Sequence, residues 1–330
     1  MKVVGIINGF NDIYTNLASE EFLLRFNDEN MFMLWESDPA VVIGKHQNAF
    51  AEFNLQYIRN KDIKVARRIS GGGTVYHGPG NLNFTFIMNG QSGKLVDFGK
   101  FVSPVMAYLK TLDLEPYMGD KNEILIDGLK ISGNAEHIYK NRTLHHGTLL
   151  FNCDLTMLND SLKVKKGIYR DKAVKSNRAT VTNIVSHLRR HMDIKSFREG
   201  LFEFLQVYYG GAESRVLSEI ELKHIQNLRN EKYITGKWIY GYSPDFRLQR
   251  QLNFNGTLVD FELTVKKGII SEYRLLDSAH QQYNDILKLL PGVFYETDSI
   301  RDALSTSGEF LLKKQMESLV NTLFPEEGDD

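Results

Sequence analysis

Residues 67 to 84, "RRISGGGTVYHGPGNLNF", set two arginines against three consecutive glycines, then a histidine and two asparagines. Three adjacent glycines lose much chain entropy on folding and bring no side chain to a core. Such a run is kept where bare backbone is needed, either for positive φ or for the close approach of another group. Backbone N–H groups beside guanidinium groups suit an anion, because Arg68 can grip carboxylate or phosphate oxygens bidentately. The loop fits neither G-x-x-x-x-G-K-[ST] nor G-x-G-x-x-G. On its own it reads as a phosphate or carboxylate cradle, or as a tight turn kept for packing.

A second constellation is "NEILIDGLKISGNA", residues 122 to 135. Asp127-Gly128 between two apolar runs is the commonest two-residue hairpin turn. It pairs Ile126 with Leu129, Leu125 with Lys130 and Glu123 with Ser132. Ile124, Ile126, Leu129 and Ile131 then share one face, and Glu123, Leu125, Lys130 and Ser132 the other. Lys130 is thereby set diagonally from Glu123 with glycines on either side. It is a solvated strand lysine or a charge placed to stabilise an anion.

Other chemistries find less support. His77, His137, His145 and His146 form neither H-E-x-x-H nor a spaced Cys/His set, which argues against a metal-centred enzyme. Ser70 lacks a G-x-S-x-G elbow, which argues against a serine hydrolase. The chain has one cysteine, Cys153. It permits no internal disulfide and no thiol cluster for zinc. Forty basic against 41 acidic residues leave a formal charge of −1. That balance gives no whole-protein field for nucleic acid or membrane. No apolar run approaches a membrane span, and "MKVVGIINGF" lacks the h-region and cleavage site of a signal peptide. A cytoplasmic, reduced, globular protein is expected.

The elements around these motifs alternate. "TNLASEEFLLRF" reads as a helix with Leu17, Ala18, Phe22 and Phe26 near helical spacing, and "NLQYIRNKDI" and "FGKFVSPVMAYLKTLDL" read as further helices. "MFMLWE", "AVVIGK", "KVARRI" and "LHHGTLLFN" read as strands. "NLNFTFIM" alternates Leu82, Phe84, Phe86 and Met88 against Asn83, Thr85 and Ile87, as a half-buried strand does. Interleaving of this kind predicts an α+β (mixed α/β) fold: a large domain around a mixed sheet with flanking helices. Residues 163 to 180, basic and weakly apolar, read as a mobile surface loop. "GKWIYGYSPDF" marks a junction. The expected division is a large domain over residues 1–245 and a small α+β C-terminal domain over 246–330. The latter holds an Asn255-Gly256 turn and a closing helix with Leu312, Met316, Leu319, Val320 and Leu323 on one face.

Taken together, "RRISGGGTVYHGPGNLNF", "LKISGNA" and "HHGTLLFN" resemble the three signature segments of the lipoate–protein ligase A family, within the biotin/lipoate ligase superfamily. "NLASEEF" and "VVIGKHQN" resemble two further family segments upstream. The resemblance implies that lipoate and Mg-ATP form lipoyl-AMP and pyrophosphate, and that the lipoyl group then passes to a lysine of an acceptor domain. It implies Lys130 as the catalytic lysine at the α-phosphate and the lipoyl carbonyl. Arg68, Gly73, Thr74, Val75, Tyr76, Asn122 and Glu123 would join Lys130 in binding ATP and the adenylate, with Glu123 also at the Mg2+ ion. Arg68, Gly72, Gly73, His77, Lys130, His146 and Gly147 would bind lipoate. Residues 163 to 180 would be the adenylate-binding loop. The implied partners are lipoyl domains of 2-oxoacid dehydrogenase E2 subunits and the glycine-cleavage H protein, served by a monomer. Two rivals stay open. One is an octanoyl or lipoyl transferase of the same fold working through a cysteine thioester, for which Cys153 is the only candidate. The other is a non-catalytic lipoate- or nucleotide-binding protein.

Overall fold

The computed structural model describes residues 2–90, 95–164, 168–176, 179–254, 256–276, 284–305 and 313–324. Two compact units divide them. The first comprises residues 1–45, 64–160 and 176–235, and the second residues 46–63, 161–175 and 236–330.

The first unit is built on a six-stranded mixed sheet. Its order is Asn134–Tyr139, Arg142–Leu150, Asn81–Asn89, Asn30–Trp35, Val3–Ile7 and Glu213–Val216. The first four strands pair antiparallel with one another, and Val3–Ile7 and Glu213–Val216 join in parallel. Phe32, Leu82, Phe84, Phe86 and Leu149 form the core with Val102, Val105 and Leu109 of the helix Phe98–Thr111 and Phe197, Leu201 and Leu205 of the helix Ile194–Tyr208. The strand Asn81–Asn89 was expected to be half-buried, but Asn81 to Met88 are buried on both faces. Its polar face is covered too. Asn83 Nδ2 donates to the Trp35 carbonyl at 3.2 Å, and Thr85 Oγ1 donates to Glu20 at 2.6 Å. Those bonds offset the burial cost of the polar groups.

The helix Ile13–Phe26 starts at Asp12, whose carboxylate accepts from the Thr15 N–H at 3.0 Å. Its buried stripe matches the expected one at Leu17 and Ala18 but not at its far end. Ile13, Leu17, Glu20 and Leu24 are buried, at spacings of three and four residues, whereas Phe26 at the last turn is 72% exposed. A carboxylate therefore sits in the middle of an apolar helix face.

Two smaller sheets complete this unit. In one, Ala40–Ile43 lies between Lys64–Arg67, to which it is parallel, and Val75–His77, to which it is antiparallel. The other holds Tyr117–Met118, Ile124–Ile126 and Leu129–Ser132. The expected hairpin is present, with Ile126 opposite Leu129 and Leu125 opposite Lys130. One pairing is corrected: Ser132 faces Ile124, not Glu123. The extra residue is Ile131, which forms a bulge so that both Ile131 and Ser132 can be buried.

The second unit has an antiparallel sheet in the order Tyr169–Asp171, Phe246–Phe254, Thr257–Lys266 and Ile269–Leu275. Phe50, Phe246, Phe261, Tyr295, Leu319, Val320 and Leu323 fill its core. Asn255 and Leu312, parts of the expected turn and helix face, lie outside the described residues. The stretch 163 to 180 is not a bare loop. It carries the edge strand Tyr169–Asp171, and the Asp171 carboxylate accepts from Asn48 Nδ2 at 3.0 Å and from Lys175 Nζ at 2.8 Å. Residues 165–167 and 177–178 of that stretch lie outside the described residues.

Candidate active site

The small sheet around Ala40–Ile43 explains the glycine loop. Lys64–Arg67 and Val75–His77 flank the same central strand, so the chain from Arg68 to Thr74 must arch over that strand's end. Arg68 N donates to the Ile43 carbonyl at 3.1 Å, and Lys45 N donates to the Ser70 carbonyl at 2.8 Å. Gly44 lies directly beneath the arch: a Cβ built on it would stand 2.1 Å from the Gly72 carbonyl oxygen. Gly72 has φ of +86°, a conformation that costs glycine little and other residues more.

Both arginines serve this arch. Arg67 is fully buried, and its Nη1 donates to the Gly44 and Lys45 carbonyls at 3.0 and 3.1 Å. Arg68 donates from Nε to Ser70 Oγ at 2.9 Å and from Nη1 to the Val42 carbonyl at 3.0 Å. Its Nη2 donates to the Gly71 and Gly73 carbonyls at 2.6 and 2.7 Å. Three of these four bonds curl the loop around the cation, and the fourth ties the guanidinium to the central strand. Burial lowers its pKa to about 10, and the nearby Glu20 carboxylate opposes that shift.

The hairpin brings Lys130 to the same place. Its backbone is clamped on both sides, with Lys130 N donating to the Thr180 carbonyl and Thr182 N to the Lys130 carbonyl, each at 3.0 Å. The side chain lies over bare Gly133, where a Cβ would meet Nζ at 3.4 Å, with Val75 beside it. Burial pushes the Lys130 pKa below its usual value. Glu123 raises it, and Arg68 and Lys121 lower it further. The charges of Glu123 and Arg68 therefore both act on this lysine.

The remaining expected residues fall into two groups. Thr74 and Val75 stand at the foot of the arch, where the Thr74 N–H donates to Ser176 Oγ at 2.8 Å and Gly73 packs on Ser176. Tyr76 turns its hydroxyl to Met157 Sδ at 2.8 Å. Asn122 has φ of +63° and its carbonyl accepts from Asn134 Nδ2 at 2.7 Å. The Glu123 carboxylate accepts from the Lys121 N–H at 2.8 Å.

His77 lies on Val75–His77 of the small sheet, and His146 and Gly147 lie on Arg142–Leu150 of the six-stranded sheet. His77 packs on Trp35 with ring centroids 5.3 Å apart, and its buried Nδ1 has no hydrogen-bond partner among the described residues. Burial lowers its pKa to about 3, reinforced by Arg68 and His146. His146 sits between Ser70 and Glu20. Gly147 has a packing reason to be bare, because a Cβ there would stand 2.2 Å from Asn134 Oδ1 and 2.4 Å from Phe84.

Sequence reasoning marked the segments that hold Gly44, Glu20 and Ser176 but named none of the three as a site residue. Gly44 gave a signal, a glycine closing the apolar run "VVIG". Ser176 and Glu20 gave none that separates them from ordinary surface residues. Among the described residues no cluster of three or more His, Cys, Asp or Glu side chains could hold a metal. A magnesium ion needs only one or two protein carboxylates, with phosphate oxygens and water completing its shell. Glu123 alone is compatible with an ion that arrives with a nucleotide. No helix among the described residues is long and apolar enough to cross a membrane.

A glycine arch tied by buried arginines and a hairpin lysine beside it lie on a mixed-sheet domain of the lipoyl protein ligase type. Residues 12–206 match the family described as "Lipoyl protein ligase A/B catalytic domain", and residues 243–323 match "Bacterial lipoate protein ligase C-terminus". The chain is 36% identical over 300 residues to lipoate-protein ligase LplJ of Bacillus subtilis, covering 89% of this chain and 91% of that protein. A lipoate-protein ligase A solved with ATP superposes with a TM-score of 0.62 at 26% identity, over 73% of this chain and 100% of that one. A bi-partite lipoate protein ligase of Thermoplasma acidophilum, studied with its E2 lipoyl domain, superposes with a TM-score of 0.64 at 25% identity. It covers 73% of this chain and 97% of that one. The chain belongs to the lipoate–protein ligase A family.

Proposed function

We propose that the arch and Lys130 carry out ATP-dependent lipoate–protein ligation in two steps. A lipoate carboxylate oxygen attacks the α-phosphorus of ATP, the bond to the β,γ-phosphate breaks, and pyrophosphate leaves. The acceptor lysine amine then attacks the acyl carbon of lipoyl-AMP, an amide forms, and AMP leaves with the mixed-anhydride oxygen. The amine's proton is released.

The observation that carries this reading is Lys130 Nζ lying over Gly133 beside Val75, at the foot of the Arg68-held arch, in a chain of this family. The first step joins two anions. Lys130 and Arg68, with the arch N–H groups, offset their repulsion and the charge that builds at phosphorus. In the second step Lys130 stabilises the oxyanion on the acyl carbon. No enzyme nucleophile is required, because the anhydride is already activated. Glu123 would hold a Mg2+ ion, which when bound neutralises triphosphate charge. Gly73, Thr74, Val75, Tyr76 and Asn122 would line the adenylate side. Gly72, His77, His146 and Gly147 would face lipoate, and the unpartnered Nδ1 of His77 favours a ligand there.

The catalytic role belongs to residues 1–245 and the accessory role to 246–330. Acceptors are E2-type lipoyl domains, as the Thermoplasma pair suggests, and the glycine-cleavage H protein. The thioester rival is disfavoured by Cys153. It is 5% exposed, and burial pushes its thiol up to about 12, far from a reactive thiolate. Lipoate-dependent ATP–pyrophosphate exchange tests the proposal. Its absence would favour a binding protein.

A further inference from the structure

Glu20 has no part in that scheme, yet its carboxylate is buried on the core face of the helix Ile13–Phe26 and is 1% exposed. A buried carboxylate is costly unless its oxygens are bonded. Five side chains connect it in one line. Trp35 Nε1 donates to Thr85 Oγ1 at 2.9 Å, and Thr85 Oγ1 donates to Glu20 Oε1 at 2.6 Å. On the other side His146 Nδ1 stands 3.1 and 3.0 Å from the two Glu20 oxygens. His146 Nε2 stands 2.6 Å from Ser70 Oγ, which accepts from Arg68 Nε at 2.9 Å.

Direction along this line is forced. The indole and the guanidinium can only donate, and a carboxylate can only accept. His146 Nδ1 faces two carboxylate oxygens, so it carries the proton. Ser70 Oγ accepts from Arg68 Nε and its own buried proton needs an acceptor, so the Ser70 hydroxyl donates to His146 Nε2. The opposite tautomer would set a nitrogen lone pair against the carboxylate and leave the Ser70 proton without an acceptor in a fully buried place.

We infer that Glu20, acting through His146 and Ser70, is a positioning residue for adenylation that fixes the Nε end of Arg68 and with it the glycine arch. Arg68 holds the arch by its Nη2 bonds to Gly71 and Gly73. The orientation of that guanidinium is set at its other end by Ser70, whose proton must point away. Glu20 lies 48 residues from Arg68 in sequence, on a different element, and its hydrogen-bonded connection to Arg68 runs through His146 and Ser70. The inference rests on the reading of the arch as the substrate-anion cradle.

Two measurements test it. Nitrogen-15 NMR of the histidine-labelled wild-type protein, with His146→Gln for assignment, should show His146 protonated on Nδ1. Protonation on Nε2 instead would overturn the inference, whatever the variants do. Glu20→Gln and Ser70→Ala should each lower kcat/KM for lipoate-dependent pyrophosphate release by up to about 10²-fold, the scale of an ångström of misplacement. Because they act as a unit, the double variant should lose no more than the worse single one. Additive losses, as from two separate packing defects, would overturn it. A wild-type protein with no lipoate-dependent release would instead refute the ligase reading, and the tautomer result would still stand.

Discussion

Gly44→Ala is a demanding test of the arch, because the geometry gives its size. The added Cβ would stand 2.1 Å from the Gly72 carbonyl oxygen, and ordinary contact begins near 3.4 Å. Backbone must therefore yield by about 1.3 Å, more than a side-chain rotation can absorb. Gly44 does not have positive φ, so the methyl strains nothing locally and the whole effect falls on the arch. The second near neighbour is Arg68 Nη2, at 3.3 Å, so the same methyl also crowds the guanidinium. Overpacking of this kind costs about 1–3 kcal/mol of stability, and an ångström of misplacement costs about 10²-fold in rate. The assay is lipoate-dependent pyrophosphate release, read beside thermal unfolding. Gly71→Ala is the matched control for stability, since a Cβ there meets nothing within 4 Å. Wild-type adenylation by Gly44→Ala would refute the claim that the arch must rest on bare backbone.

Lys130→Ala should cut adenylation by about 10²–10³-fold with the fold retained, in line with loss of one oxyanion donor; pyrophosphate release near the wild-type rate would remove Lys130 from the chemistry. Since Lys130 has a pKa lowered by burial and its charged form is the active one, adenylation should decline as pH rises, with a midpoint below 10.5. A flat alkaline limb to that pH would contradict the assignment. Arg68→Lys should lose both stability and adenylation, because an ammonium cannot reproduce four bonds to Ser70, Val42, Gly71 and Gly73; calorimetry with lipoyl-AMP should show weakened binding. Cys153→Ser should keep full transfer to an apo-acceptor, and a lipoyl-thioester trapped on the wild type would reverse that view.

The parts of the site carried by local chemistry were legible in the sequence. Three glycines beside arginines announced the arch, and Asp127-Gly128 announced the hairpin that presents Lys130. What escaped were relations across the fold. Glu20 sits in "ASEEF", where either glutamate reads as solvent-facing until the helix is packed and His146 arrives from 126 residues away. The bulge at Ile131 depends on which residues the core can bury, and strand alternation alone does not show that. The Asn81–Asn89 strand looked half-exposed because Asn83 and Thr85 are polar, but their partners Trp35 and Glu20 come from other elements. Segments 46–63 and 161–175 group with the second unit through contacts such as Phe50 on Phe246 and Tyr169 opposite Leu248, which no local pattern signals.

The central claim is that this chain makes lipoyl-AMP from ATP and then acylates a protein lysine. The most direct test is the mass of an apo-lipoyl domain incubated with the protein, lipoate, Mg2+ and ATP. The account predicts a gain of one lipoyl group per acceptor, accompanied by pyrophosphate release and abolished when ATP is omitted or Lys130 is replaced by alanine. An acceptor that gains its acyl group without ATP, or one whose mass never changes while the protein is folded and both ligands bind, would contradict it.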